Sequence, residues 1–436
     1  MGELPTPVVG EAYQNSVAWE TLEALVDVAP RMAGHDGERA GAEILAETFE
    51  RVGLRDVTRK EFDIPGWWRG TASVELPALA STYDQSHQVI GLPGTPEGAV
   101  PAELVDVGYG TPAEYENADI EGKLVLARGG SPEDYDRWLH RREKYDAAVD
   151  GGAAGFIYRG RVDGSLPPTG DIGDEDGEAP IPAVGVSAEL GARLSRHADD
   201  ETVEARLAVD CRSASATSVN VSGTVGPDTD ERILLTAHHD AHDIAEGAKD
   251  NGVGCALVAE VGRLLGQVED ELETAVQCTT FGAEEVGLHG SKMLADSTEL
   301  DSIAAVVNLD AIGNSRDLTV ATHGFEELGD AFETVSETLD TPVEVTDDVE
   351  PHSDHWPFVQ RGVPGVMAHT MGGSGARGWG HTHADTLDKL DRRDLRDLAV
   401  PLAAGVLELA DADRSIEAVD PETVEQRARE QGYPVD

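Results

Sequence analysis

Imidazoles and carboxylates recur in this sequence at the ends of apolar runs, the arrangement that metal-assisted hydrolysis needs. The run Ile233 to Ala237 passes straight into His238, His239, Asp240, Ala241 and His242, and Asp250 follows inside Gly247-Ala248-Lys249-Asp250-Asn251-Gly252. A second apolar run ends in Phe281-Gly282-Ala283-Glu284-Glu285, a third in Asn308-Leu309-Asp310, and His381 stands in Gly380-His381-Thr382-His383-Ala384-Asp385-Thr386. His238, Asp250, Glu285, Asp310 and His381 are the candidate metal ligands. Two imidazoles and three carboxylates suit zinc, and one carboxylate bridging two Zn2+ ions would give each ion a His, a terminal carboxylate and a share of the bridge. Room remains for a bridging water. An isolated Asp at a strand end is usually a cap or turn former; the five together, in this order, carry the signal.

Two further carboxylates extend the set. Glu284 is adjacent to Glu285, so one side chain can hold metal while the other reaches a metal-activated water and moves its proton as general base. Asp240, two residues past His238, is placed to orient that imidazole. His239, His242, His289 and His383 are expected to be ordinary exposed histidines.

The elements that must position these residues are legible as periodicity. From Thr217 onward strands and helices alternate: strand 233–237, helix 251–265, strand 274–281, helix 288–296, strand 303–309, strand 318–321, helix 325–339, strands 343–345 and 363–368, helix 391–409. This predicts an α/β fold with a mostly parallel mixed sheet sandwiched by helices, in which ligands gather beyond the carboxyl ends of the strands. Each candidate ligand falls at or just past such an end.

Upstream, helical spacing covers residues 17–29 and 40–53, with a structural turn at Arg31-Met32-Ala33-Gly34-His35 between them. Strands are expected at 57–64 and 72–76, around a Pro65-Gly66-Trp67-Trp68-Arg69-Gly70 turn whose adjacent Trp residues serve packing. From about Gly98 to Arg212 the texture is that of a smaller inserted α/β-β unit. It has strands at 103–107, 124–127 and 156–158, a helical piece at 145–149, and a loop from Asp163 to Pro182. Its Gly-rich turn, Gly151 to Gly155, follows the helix instead of preceding it, which argues against a phosphate cradle. The predicted organisation is a discontinuous catalytic domain, 1–97 and 213–415, an insert, 98–212, and an acidic tail, 416–436.

Composition limits the function classes. A hydrophobic fraction of 40% over 436 residues supports real cores, and the length suggests two domains. The 84 acidic residues outnumber 33 basic ones, only six of them Lys, for a formal net charge of −51. Nucleic acid and anionic membrane surfaces are excluded as partners, because they need basic patches. The acidic residues lie within patterned segments, so the reading is a folded, halophile-type protein with a solvated acidic skin, dependent on salt for screening. Cys211, Cys255 and Cys278 are expected to be small buried hydrophobes, neither disulfides nor ligands. No apolar run reaches 18 residues and no signal-like start is evident, so the expectation is a cytoplasmic location.

The motifs named above, with Val286-Gly287-Leu288-His289-Gly290-Ser291 and Ser353-Asp354-His355, resemble the successive motifs of the aminopeptidase Y family of co-catalytic zinc exopeptidases. That family includes bacterial leucyl aminopeptidases, plasma glutamate carboxypeptidase and glutamate carboxypeptidase. Residues 19–76 look most like the plasma glutamate carboxypeptidase branch, and 98–212 resemble a protease-associated domain. The resemblance implies that His238 and Asp310 hold one zinc, Glu285 and His381 the other, that Asp250 bridges and that Glu284 is the base. It implies an exopeptidase acting on short peptides, most simply an aminopeptidase, with dipeptidase or carboxypeptidase action as the alternative; a non-catalytic binding protein on the same scaffold is the alternative of another class. One departure matters: the bacterial members carry a Tyr shortly before Ser-Asp-His to stabilise the oxyanion, whereas here Asp348-Val349-Glu350-Pro351-His352 stands there. His352 is the candidate replacement donor. The loop Gly372 to Gly380 is a candidate pocket wall, and the insert is expected to cover the site.

Overall fold

The apolar runs form the centre of one long, twisted sheet. The structure, a computed structural model, describes residues 4–434 apart from 174–176, 178, 201, 371–377, 412–413 and 415. Across the catalytic lobe the strands lie in the order Val343–Thr346, Leu318–Ala321, Gly365–Thr370, Ile303–Leu309, Arg232–His238, Ala275–Phe281 and Glu204–Val225. The central four, from Gly365–Thr370 to Ala275–Phe281, run parallel to one another, and the strands flanking them pair antiparallel. Phe281 pairs with His238 and Asn308 with Thr236, so three adjacent strands finish nearly level and release their chemistry-bearing residues from one edge. The register is reinforced inside the sheet, where the Thr236 hydroxyl donates to Asn308 Oδ1 at 2.7 Å.

Helices cover the sheet as the alternation requires. Val253–Leu265, between two strands, is buried at every position except Arg263 and packs beside Ala18–Asp27, Asp36–Val52 and Arg392–Leu409. A helix apolar on nearly all sides belongs in the middle of a layer. Leu22, Leu25, Leu45, Phe49, Leu257, Val261, Leu398 and Leu402 share the main core. Among the described residues no helix is long and apolar enough to cross a membrane. Cys255 and Cys278 are buried and Cys211 half-buried, all three free.

The region 55–76 departs from expectation. It is one 22-residue strand, Arg55–Leu76, paired antiparallel with Glu204–Val225 along nearly its whole length, instead of two strands about a turn. Pro65 is tolerated in an edge strand: among the described residues, the only strand paired with Arg55–Leu76 at that point is Glu204–Val225. The Pro-Gly-Trp-Trp-Arg-Gly stretch is absorbed with an irregularity between Arg69 and Ala72. Trp67 is buried and donates Nε1–H to Thr95 O at 3.1 Å, while Arg212 stacks over Trp68.

These two long strands carry the inserted unit. Gly98–Asp106 pairs with Glu204–Val225, and the sheet continues through Leu124–Arg128, Gly155–Arg159, Ala183–Val186 and Val89–Gly91, with separate apolar cores around Leu124 and Phe156. Its helix is longer than the short piece predicted, Arg141–Asp150, because His140 and Glu143 form a capping box that fixes the first turn. Residues 421–430 of the acidic tail form a helix that buries Val424 and Ala428 against the catalytic lobe.

Candidate metal centre

The five ligand candidates converge. His238, the last residue of its strand, brings Nε2 to 3.4 Å from Asp250 Oδ1, 3.8 Å from Asp310 Oδ1 and 3.9 Å from Glu284 Oε2. The other Asp250 oxygen, Oδ2, lies 3.2 Å from His381 Nε2, which is itself 3.3 Å from Glu285 Oε2. Asp250 therefore offers one oxygen to each imidazole. Two groups of donors result, each with ligand atoms within 4.8 Å of one another: His238, Asp250 and Asp310, and His242, Glu285 and His381.

Backbone hydrogen bonds hold these side chains. The His238 Nδ1 lies 3.1 Å from Asp240 O; a carbonyl can only accept, so the proton sits on Nδ1 and Nε2 faces the carboxylates. The Asp240 carboxylate is 3.5 Å from the same ring, and it also accepts from Glu284 N at 3.0 Å and Glu285 N at 3.1 Å. It thus ties the first strand end to the second, a role its spacing from His238 did not reveal. Asp385 does the same for Asp250, accepting from Lys249 N and Asp250 N at 2.7 and 3.1 Å. Asp310 takes the Ser353 hydroxyl at 2.6 Å. The Ser353-Asp354-His355 motif, all buried, therefore includes a brace for a ligand.

Arg31 is the most heavily engaged support. Fully buried, it donates to His239 O, Leu25 O, Glu246 O and Gly247 O at 2.8–3.0 Å, clasping the loop after His238 to the turn that carries Asp250. That turn needs glycine at 247: its φ is +60°, and a Cβ would stand 2.3 Å from Ala241 Cβ. Glu38, from the helix that follows, accepts from Gly34 N, Ser218 Oγ and Ala283 N at 2.6–3.1 Å. Burial, and then the nearby Asp240 charge, push its pKa up to about 8. Ala283, two residues before Glu285, Ala311, next to Asp310, and His381 itself have left-handed φ of 50–57°. Such backbone is costly outside glycine and persists only where its surroundings enforce it.

The histidines need correction. None of the four expected to be exposed is so: His239 and His242 are buried, His289 and His383 half-buried. His242 enters the centre, its Nε2 3.0 Å from Glu285 Oε2 and 3.2 Å from His381 Nδ1. The only sequence signal for it was its place four residues past His238.

Charge and burial oppose each other here. Burial raises the Glu284 carboxyl well above its usual range and lifts Glu285 to about 8. Burial alone would lower the His381 imidazole, but Glu285 and Asp250 carry it up to about 9. Asp250, despite burial, is held well below the usual range by His238 and His381. Protons thus balance a carboxylate cluster that divalent cations would balance better, and binding metal would release them. The donor set fits zinc on its own chemistry: two Nε2 atoms, three carboxylates, and Glu285 Oε1 buried without a hydrogen-bond partner among the described residues.

The centre opens into a cavity of about 980 Å³ walled by both lobes. Asp250, Glu284, Glu285, Asp310 and His381 line it on the catalytic side; Arg141, Tyr158 and Thr169 come from the insert. Thr169 N donates to His381 O at 2.8 Å, so the insert holds a candidate ligand directly. His352 is on the cavity wall, stacked on His140 at 4.1 Å between ring centres. Gly378 and Gly380 also line it; residues 372–377 of the 372–380 loop lie outside the described residues.

Comparison with known proteins agrees with this geometry. Residues 220–404 match peptidase family M28 and residues 99–194 match the PA domain. The chain is 28% identical to aminopeptidase YwaD of Bacillus subtilis over 410 residues, 90% of this chain and 84% of the relative. Among solved structures it is similar to a zinc aminopeptidase from Bacillus subtilis, with 25% identity, a TM-score of 0.71 and coverage of 96% and 99% of the two chains. It is also similar to the aminopeptidase from Aneurinibacillus sp. strain AM-1, with 26% identity, a TM-score of 0.67 and coverage of 92% and 96%. The candidate ligands from His238 to His381 all fall inside the segment that matches peptidase family M28, and the segment that matches the PA domain precedes it.

Proposed function

We propose that the protein is a zinc-dependent aminopeptidase that removes N-terminal residues from short peptides. The observation that carries this reading is the placement of Asp250 between two imidazoles, each with its own further carboxylate. His238 and Asp310 would hold one Zn2+, Glu285 and His381 the other, with Asp250 shared and His242 within reach of the second. When bound, such an ion pair polarises a carbonyl and acidifies water.

The chain's own residues would do the rest. Glu284, whose Oε2 lies 3.9 Å from His238 Nε2 on the cavity wall, takes the proton of the attacking water and returns it to the leaving amine. Asp240 is a positioning residue, fixing the His238 ring and the Glu284-Glu285 backbone together. His352, on the cavity wall, is the candidate donor to the developing oxyanion. The aminopeptidase names of the similar proteins support attack at the amino end.

A specific observation favours a second reading, dipeptidase or carboxypeptidase action. Arg141 spends Nε on Asp171 O at 3.0 Å, and among the described residues no hydrogen bond engages its two terminal nitrogens. A guanidinium open to a cavity, beside the Tyr158 hydroxyl, is a carboxylate receptor. A panel of free, N-acetylated and C-amidated peptides, with products identified by mass, separates the readings. Loss of the first residue from free and amidated peptides, and none from acetylated ones, is expected. Cleavage of acetylated peptides at the carboxyl end, abolished by amidation and by Arg141→Met, would move the protein to the second reading. No cleavage of any peptide by the zinc-loaded protein would leave a binding protein on this scaffold.

A further inference from the structure

The tail beyond the last long helix folds back onto the cavity. Helix Pro421–Glu430 is anchored on the catalytic lobe, where Arg427 Nη1 donates to His323 O at 3.1 Å. Gln431 then accepts from Val349 N at 2.8 Å and donates to Asp347 O at 3.1 Å. Tyr433 meets His352 edge to face, with ring centres 6.1 Å apart, and Pro434 reaches the cavity lining.

The insert closes the same span from its own side. Arg137 Nε donates to Gly432 O at 2.6 Å, and the guanidinium lies 4.8 Å from the centre of the Tyr433 ring. The other two nitrogens of Arg137 hold Glu143 at 2.7 and 2.6 Å. Glu143 in turn caps the helix that begins after His140, and His140 stacks on His352. Three segments far apart in sequence are thereby joined in a column, His140 on His352 on Tyr433, clasped by Arg137. Of the column, His140 and His352 stand on the wall of the cavity that contains Glu284 and His381, and Tyr433 and Arg137 support them from behind. Rings held from both lobes make a firm wall, because each loses little conformational freedom on being packed.

We propose that this column is a length gauge: Tyr433, locked by Arg137, backs the His352 ring and carries Pro434 into the wall of the substrate cavity, so that short peptides fit and longer ones do not. The limit would then be set by segment 431–434 together with the insert, and not by the insert alone. The proposal rests on the peptidase reading for its substrate.

The test uses the full chain, Tyr433→Ala, Arg137→Met and Tyr433→Phe, with a ladder of unblocked peptides of two to about eight residues sharing one N-terminal residue. For the wild type and Tyr433→Phe, kcat/KM should fall steeply beyond a short length. In Tyr433→Ala and Arg137→Met the longer peptides should gain at least about tenfold relative to the dipeptide, with dipeptide turnover nearly unchanged. Melting temperatures check that the variants fold. A length profile identical in wild type and both disrupting variants overturns the proposal, as does a wild type that shows no length limit. Calorimetric binding of the same ladder reads the gauge without turnover. Should no peptide be cleaved, a length-dependent Kd relaxed by Tyr433→Ala would sustain the wall while the peptidase reading failed, and a Kd indifferent to length or to the substitution would sink the wall.

Discussion

The two donor groups of the metal centre are not built alike. His238, Asp250 and Asp310 come from the catalytic lobe alone, and the His238 side chain is 2% exposed, with Cys255 Sγ donating to its carbonyl at 2.9 Å. Glu285 and His381 form the second group with His242, but the His381 side chain is 32% exposed and its carbonyl depends on Thr169 of the insert. The His381 ring also lies 3.3 Å from Thr169 O. One group is fixed by the sheet that any protein of this fold must make. The other, whose donors lie outside the insert as well, is braced across an interface between lobes, so the placement of His381 depends on Thr169 of the insert.

The largest effect should come from Glu284, which stands beside His238 and next to Glu285 in sequence and is a ligand candidate in neither group. Glu284→Gln keeps the shape but loses the base, and kcat should drop by at least about a thousandfold while bound zinc is retained, as read by steady-state kinetics beside metal analysis. Activity within a few-fold of wild type would remove Glu284 from the mechanism and leave the comparison of the two groups without its chemical centre.

Arg31 sharpens the comparison from the folding side. Arg31→Met strips donors from four buried carbonyls that join the His238 loop to the Asp250 turn, and should destabilise the fold by about 3 kcal/mol in denaturant unfolding. The loss should be felt in the first donor group, since both clasped segments carry its ligands. A variant as stable as wild type would mean that the turn is held by something other than Arg31.

Much of this was legible before the structure, and for a physical reason. Buried parallel strands are continuous apolar runs, and their ends are where polar residues must emerge, so His238, Glu285 and Asp310 announced themselves by following such runs. What failed was what depends on long-range contact. Pro65 and Gly66 read as a turn because local chemistry says so, yet one edge strand absorbs them. His242 looked like any surface histidine, and only the fold brings Glu285 and His381 beside it. Arg31, placed correctly in a structural turn, gave no hint that three of its four partners lie more than 200 residues away. The acidic tail carried no recognisable chemistry in sequence, and only the fold brings its Tyr433 beside His352 and Arg137.

The central claim, two metal positions of unequal bracing, is tested most directly by counting zinc. Wild type, His238→Ala and His381→Ala would be loaded with zinc, passed through a weak chelator and measured by elemental mass spectrometry against protein concentration. The account predicts about two ions per chain in wild type, about one in His381→Ala, and fewer still in His238→Ala, whose loss leaves Asp250 and Asp310 without their imidazole. Equal depletion in the two variants, or a wild type that never exceeds about one ion per chain, would contradict it.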